Sequence, residues 1–269
     1  MDYPSDITPE QYEEIRPLLE DFKADTKPRK ISLYEVLCAI FYLLRTGCQW
    51  RMMPHDFPKW ATCYYYFRQW KQKDDELDES LLDQILAKLV TASRVDEERK
   101  EKTSFCIIDS QSVKNAASAK SKGYDAGKKI SGIKRHIGVD TQGRPHFIHV
   151  TTADVTDRNG EIEGIEGNME NLSAVIRFLA DSGYSGDNFK DQVEQLIGAD
   201  VKVVKRKQKG KFAVLAFRWI VERSFALIEK FRRLWKNCEA HIHTSEQMMG
   251  TSINLSEIAT RRLFSYCYG

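Results

Sequence analysis

The sequence contains no CxxC pair, no internal repeat, no low-complexity tract and no long apolar run. Its longest apolar stretch, residues 36–44 (VLCAIFYLL), is too short to span a bilayer and reads as a buried helix. The opening residues, MDYPSDITPEQYEEI, are acidic and lack the apolar segment of a secretory signal. Export and membrane insertion are therefore not expected, and a cytoplasmic location is. The six cysteines (Cys38, Cys48, Cys63, Cys106, Cys238 and Cys267) have no histidine at zinc-finger spacing. Several sit in apolar runs such as LCAI and SFCII, which suits buried free thiols in a reducing compartment rather than a disulfide framework or structural zinc. An excess of one charge sign is missing too: 41 Lys and Arg against 39 Asp and Glu leave a net charge of +2, which alone says little about a polyanionic partner.

A length of 269 residues with 42% hydrophobic content is enough for at least one sizeable core, and two domains are a fair expectation. Charged residues make up 30% of the chain and mean hydropathy is −0.49, so a soluble globular protein is expected. The charges are unevenly placed. Residues 114–135 hold seven Lys and Arg against the single acid Asp125, and residues 201–212 (VKVVKRKQKGKF) hold six and no acid. Residues 74–101 and 154–170 lean acidic. Local basic stretches on a near-neutral chain are compatible with nucleic acid on chosen faces; on charge alone a solvated surface explains them as well.

Hydrophobic periodicity divides the chain. ITPEQYEEIRPLL reads as a short helix with Thr8 as N-cap and Pro9 in its first position. ISLYEVLCAIFYLLRTG has apolar residues at helical spacing, with Gly47 as a natural stop. A turn-rich connector with Pro54 and Pro58 leads into ATCYYYFRQWKQ, where Tyr64, Phe67 and Trp70 fall on one side, and LLDQILAKLVTA is a further amphipathic helix. The pattern then changes. SFCIID is an apolar run ending in an acid, as a buried strand does, and RHIGVDT and PHFIHVTT flank a short turn, Gln142-Gly143-Arg144, as in a β-hairpin. SAVIRFLADSGYSG holds another apolar run ending in an acid, ADVKVVKR reads as a last strand, and KGKFAVLAFRWIVERSFALIEKFRRLWKN contains a long amphipathic helix. Strands followed by packed helices make an α/β domain. The expected layout is a helical domain over residues 1–92, a charged linker at 93–103 and an α/β domain over 104–269.

Three acids stand where a metal site needs them. Asp109 ends FCIID, Asp181 follows AVIRFLA, and Glu222 lies inside the helical FRWIVERSF. Strand ends deliver side chains to the sheet edge where ligands bind in α/β folds, and carboxylates suit the hard cations Mg²⁺ and Mn²⁺. Spacing alone does not decide the matter among 39 acids. Asp109 and Asp181 can cap turns and Glu222 can pair with a nearby Arg, and Asp140, Asp154 and Asp157 compete for the second position. Trp50, Trp60 and Trp70 invite a base-stacking role, but core packing is the expectation for them and for Trp219. His136 and His149 read as structural histidines.

The order of the motifs is more specific. AIFYLLRTGCQWRMMPHDFPKWATCYYYFRQWK in the first half, then IIDSQSVK, GYDAGKKISGIKRHIGVDTQG, TTADVTDRNG, ADSGYSG and FRWIVERSFALIEKFRRL in the second, resemble the DDE-class insertion-sequence transposases of the family named after insertion sequence five, across nearly the whole chain. The resemblance implies a ribonuclease H-like mixed sheet with packed helices, preceded by an all-helical, helix-turn-helix-like DNA-binding domain. It implies Asp109, Asp181 and Glu222 as the catalytic, metal-binding triad, holding two Mg²⁺ or Mn²⁺ ions. ADSGY supplies the family's context for the second acid, which sets aside Asp140, Asp154 and Asp157. Related families show a Tyr, Arg, Glu, Lys pattern around the last acid. Arg218 matches its Arg, whereas Leu215 and Glu229 stand at the Tyr and Lys positions, with Lys230 adjacent.

The implied activity is cleavage of transposon ends and joining of the freed 3′-hydroxyls to target DNA. The partners would be double-stranded DNA and a second copy of the chain, in a prokaryotic, nucleoid-associated setting, with no membrane and no small-molecule substrate. The alternatives are a plain metal-dependent nuclease and a domesticated DNA-binding protein without catalysis. Candidate DNA contacts are Lys128, Lys129, Lys134, Arg135, Lys205, Arg206, Lys207, Arg218, Arg223, Lys230, Arg232 and Arg233 in the second half, and Arg45, Arg51, Arg68 and Lys71 in the first.

Overall fold

A side-chain cap starts the first helix where the sequence places it. In the computed structural model, which describes residues 3–22, 30–73, 79–204 and 217–265, Thr8 and Gln11 form a reciprocal capping box at the start of α1 (Pro9–Asp21). Ser32 caps α2 (Leu33–Thr46), and Gly47, at φ 74°, closes it with a hydrogen bond to the Leu43 carbonyl. α3 (Trp60–Trp70) and α4 (Leu81–Asp96) follow. Residues 47–59, with a short 3₁₀ turn at Trp50–Met52, separate α2 from α3, which is longer than the roughly 3–4-residue turn of a helix-turn-helix.

Two units emerge. The first comprises Met1–Leu89, Glu229–Trp235 and Gln247–Gly269. Its core takes Ile15 and Leu19 from α1, Val36, Ile40 and Leu44 from α2, and Phe67 and Trp70 from α3, all fully buried. The helical unit is not confined to the N-terminal segment. Arg233 donates to the Leu44 and Cys48 carbonyls through its N–H and guanidinium, and Gln247 hydrogen-bonds Asp83 at 3.3 Å. The returning chain includes much of α9 (Ile242–Ser265), a helix the sequence reading did not anticipate.

The second unit, Val90–Ile228 with Lys236–Glu246, is built on β1 (Phe105–Lys114), β2 (Gly123–Asp125), β3 (Ile130–Val139), β4 (Pro145–Thr152), β5 (Arg177–Ala180) and β6 (Asp200–Val203). Its sheet runs β2-β3-β1-β5-β6, and β4 also pairs with β3. β3 is antiparallel to β1, β2 and β4; β5 and β6 run parallel to β1. An antiparallel hairpin extended by parallel strands is the ribonuclease H-like arrangement.

Helices α5 (Asp157–Glu166), α6 (Met169–Leu172), α7 (Asp187–Ile197) and α8 (Arg218–Glu229) complete the unit. Cys106 and Ile108 of β1 and Phe178 and Ala180 of β5 share a core with Ile165, Leu172, Phe189 and Val193 of the helices. Strand alternation then turns Ile107 and Asp109, and Leu179 and Asp181, to the opposite face. Among the described residues no helix is long and apolar enough to cross a membrane.

Candidate functional site

Asp109 does not end its strand. It lies in the middle of the ten-residue β1 and is paired with Ile137 of β3. What stops short is the parallel pairing with β5, whose last rung is Ile107 with Leu179. Asp109, within β1, and Asp181, the first residue after β5, each stand two residues beyond that rung. Both line a recess of about 20 Å³ walled by Ile107, Leu179, Val204 and Val221, room for about one water.

The electrostatics of the recess are unbalanced. Burial pushes the Asp109 carboxyl up to about 6, and the negative charge of Asp181 adds to the shift. A hydrogen bond from the Ser110 N–H at 2.8 Å and the charges of Arg218 and Lys128 offset it only in part. Asp181 accepts from the Gly183 N–H at 2.7 Å. From the first turn of α8, Arg218 reaches within 3.5 Å of Asp181 and 3.0 Å of Glu222. The contact with Glu222 is an ion pair without hydrogen-bond alignment.

Asp109 and Asp181 thus come together, and Glu222, with its side chain 58% exposed, joins them only through Arg218. Among the described residues no three His, Cys, Asp or Glu side chains stand close enough to hold a metal ion. Chemically the pair still fits one. Two carboxylates at one recess, one of them destabilised by burial and by its neighbour, form an oxygen donor set whose repulsion a hard cation relieves.

The rivals for the second acid have other occupations. Asp140, fully buried, is ion-paired with Arg94 and lies 3.3 Å from Arg99. Asp157 holds Lys134 at 2.7 Å.

The basic candidates separate by burial. Lys134 and Arg135 are 4% and 2% exposed. Lys134 pairs with Asp157 and Asp125 and donates to the Val155 carbonyl. Lys134 and Arg135 are both buried and offer no exposed side chain to a duplex, although Lys134 lines the floor of a cleft. Lys128 and Lys129 are exposed. Arg223 donates to the Gln142 carbonyl and stacks over Trp219.

Lys230, Arg232 and Arg233 do not flank Glu222 along one continuous helix. α8 ends at Glu229, and all three belong to the helical unit. In that unit Arg45, Arg51, Arg68 and Lys71 lie over the rings of Phe231, Trp60, Tyr64 and Phe67 respectively. Lys205, Arg206, Lys207 and Leu215 fall outside the described residues.

The aromatic expectations are corrected in part. Trp70 is fully buried, but Trp60 is 36% exposed and Trp219, expected in the core, is 50% exposed. Trp219 faces out because Ile220, Val221, Ser224, Phe225 and Ile228 form the buried stripe of α8. His136 is fully buried and hydrogen-bonded to Thr151, and its partner across the ladder is His149.

Comparisons with known proteins show the family of the chain. The family profile described as "Transposase DDE domain" matches residues 100–255, and that described as "Putative transposase of IS4/5 family" matches residues 7–75. A relative from Burkholderia cepacia, "Putative transposase for insertion sequence element IS402", is 29% identical over 112 residues, which is 38% of this chain and 52% of that one. The chain therefore spans about half the length of this curated relative. The solved "Mos1 transposase paired-end complex with left transposon end" aligns over 87% of this chain and 80% of its own at 10% identity, with a TM-score of 0.28.

Proposed function

The chain belongs to the DDE-domain transposase family, and on that premise we propose that it cuts DNA at the ends of a transposable element and joins the freed 3′-hydroxyls to target DNA. The observation that carries this reading is the placement of Asp109 and Asp181 each two residues beyond the last shared rung of β1 and β5.

A DDE domain implies the use of a divalent cation. Asp109 and Asp181 would hold it, with Glu222 completing the set. Two Mg²⁺ or Mn²⁺ ions there would activate a water or 3′-hydroxyl and offset charge on the leaving oxygen of an in-line displacement. The chain's own groups prepare the place. Burial keeps Asp109 short of water and of compensating donors. The Gly183 N–H fixes one oxygen of Asp181. Arg218 neutralises Asp181 and Glu222 in the present arrangement, and its guanidinium suits a phosphate oxygen when those acids are engaged elsewhere.

The helical unit is the proposed reader of the element's ends. Arg51 over Trp60 and Arg68 over Tyr64 place cations beside exposed aromatic rings on and next to α3. Two ends handled together call for two copies of the chain. A gel shift on the element's own end against scrambled duplex tests the reading role.

The reaction is tested by strand transfer, using a pre-cleaved end oligonucleotide and a plasmid target in Mg²⁺ and in Mn²⁺. Joining by the wild type and its loss in Asp181→Ala is the expected result. Joining that survives the substitution removes Asp181 from the site. Nicking without joining favours a plain nuclease, and a footprint without nicking favours a DNA-binding protein without catalysis.

A further inference from the structure

Two motifs remain unused by the carboxylates, GYDAGKK (residues 123–129) and TDRN (residues 156–159). They meet in one cleft of about 510 Å³, completed by Gly183 and by Asn188 and Gln192 of α7. The volume is that of a small-ligand site, enough for one nucleotide and too little for a base-paired duplex.

The floor of the cleft is locked. Lys134 sits 2.7 Å from Asp157 and 3.6 Å from Asp125, and Ser112 donates to Asp125 at 2.6 Å. Lys134 offsets one of the two carboxylates and Lys128, 3.9 Å from Asp157, offsets the other, which leaves Arg158 as the net positive charge of the cleft. On the rim, Lys128 has its side chain 42% exposed. Arg158 spends only its Nε, donated to the Gly183 carbonyl at 3.1 Å, which leaves the two terminal nitrogens of its fork unpartnered among the described residues. The Thr156-capped start of α5 opens here, adding a favourable dipole for an anion. Asn159, Asn188 and Gln192 supply amide donors and acceptors of the kind that match a base edge.

The cleft also adjoins the acids. Lys128 lies 3.4 Å from the carbonyl of Ser110, the residue after Asp109, and the Gly183 carbonyl that holds Arg158 is two residues from Asp181.

We propose that this cleft receives one unpaired nucleotide of the DNA strand that passes Asp109 and Asp181. Its phosphate is held by Lys128 and Arg158, and its base by the amides of Asn159 and Gln192. A strand gripped one nucleotide from the reacting phosphate is fixed in register, and extruding that nucleotide favours ends that unpair readily. The inference rests on the DNA-cutting reading and adds a ligand subsite to it.

Fluorescence anisotropy over a salt series tests it, with a labelled duplex carrying a short single-stranded tail and the same duplex blunt-ended. The wild type is expected to prefer the tailed probe. Arg158→Ala should weaken tailed binding by about tenfold and lower its salt slope by about one, with blunt binding unchanged. Asn188→Trp, which fills the cleft without removing a charge, should abolish the preference and bring the salt slope of the tailed probe down to that of the blunt one. Arg158→Lys, which keeps the charge and loses the fork, should fall between the wild type and Arg158→Ala. No preference in the wild type, or a preference that survives Asn188→Trp, overturns the proposal. Where wild-type strand joining persists beside such a result, the subsite alone fails; where joining is absent, the DNA-cutting reading fails and the tail preference still reports on the cleft.

Discussion

Two aspartates of the same sheet unit, Asp140 and Asp109, are both withdrawn from water and treated oppositely. Burial would raise Asp140, but the nearby His146 ring and the Gln142 and Arg144 backbone N–H groups outweigh it and hold the carboxyl well below the usual range. Arg94 and Arg99 close the same corner. Asp109 has one local donor, Ser110, and a second acid for a neighbour, so its carboxyl rises to about 6. An acid saturated by donors serves the fold. An acid buried beside another acid costs stability and persists where something outside the chain is to complete it.

The two corners give opposite pH slopes. Asp140 has a depressed folded value, so its stabilising contribution is present above its ordinary value of 3.8 and is lost as pH falls below it. Asp109 has a raised one. The folded chain holds that proton more tightly than the unfolded chain, so stability is full below 3.8 and falls as pH rises through about 6.

The largest expected effect tests the saturated corner. Asp140→Ala leaves Arg94, 3% exposed, without its carboxylate. Breaking a buried pair from one side costs about 3–5 kcal/mol, a fall in Tm of roughly 10 °C for a domain of this size. A thermal melt at pH 7 that drops by less than about 2 °C would show that the arginines do not depend on Asp140, and the contrast between the corners would collapse.

The second effect has the opposite sign. Asp109→Asn removes a carboxylate that the fold holds at a cost above pH 6. In EDTA at pH 7.5 the variant should melt about 2–6 °C above wild type, and the gain should shrink towards pH 4.5. In the strand-transfer assay it should be inactive. A variant less stable than wild type at pH 7.5 would place Asp109 with Asp140 among the acids that hold the fold.

The contrast explains what could be read beforehand. Local signals wrote the Thr8 cap, the Gly47 stop and the hairpin plainly, with Gly143 at φ 87° in the turn between β3 and β4. The recess pair Asp109 and Asp181 was found through motif context, because the rung at which β1 and β5 part is a property of pairing between strands distant in sequence. The same kind of cause hid the fate of Lys134 and Arg135, whose burial depends on what packs on the faces of the sheet, as Asp157 does against Lys134. DNFKDQVEQLI has a helix-like pattern that was open to reading; it forms α7 behind Gly186, which caps it without a side-chain bond. Arg218, a candidate DNA contact, stands between two of the acids, an arrangement that the four-residue spacing to Glu222 hints at and that the approach to Asp181 completes.

The smallest effect is read at Arg218 itself, and it sharpens the comparison most finely. Its side chain is 39% exposed, so its ion pairs with Asp181 and Glu222 contribute little to stability, and Arg218→Gln should move Tm by no more than about 2 °C. The carboxyl titration is the sensitive readout. Arg218 is one of the charges that hold Asp109 down against burial and Asp181, so its loss should carry Asp109 further above about 6 in a ¹³C NMR titration in EDTA, while Asp140, which has its own arginines, stays where it is. If both carboxyls stay still, Arg218 is not among the charges that set the two corners apart. If Asp109 moves by itself, the recess is an electrostatic unit in which Arg218 stands in for part of the positive charge that the acids are arranged to receive.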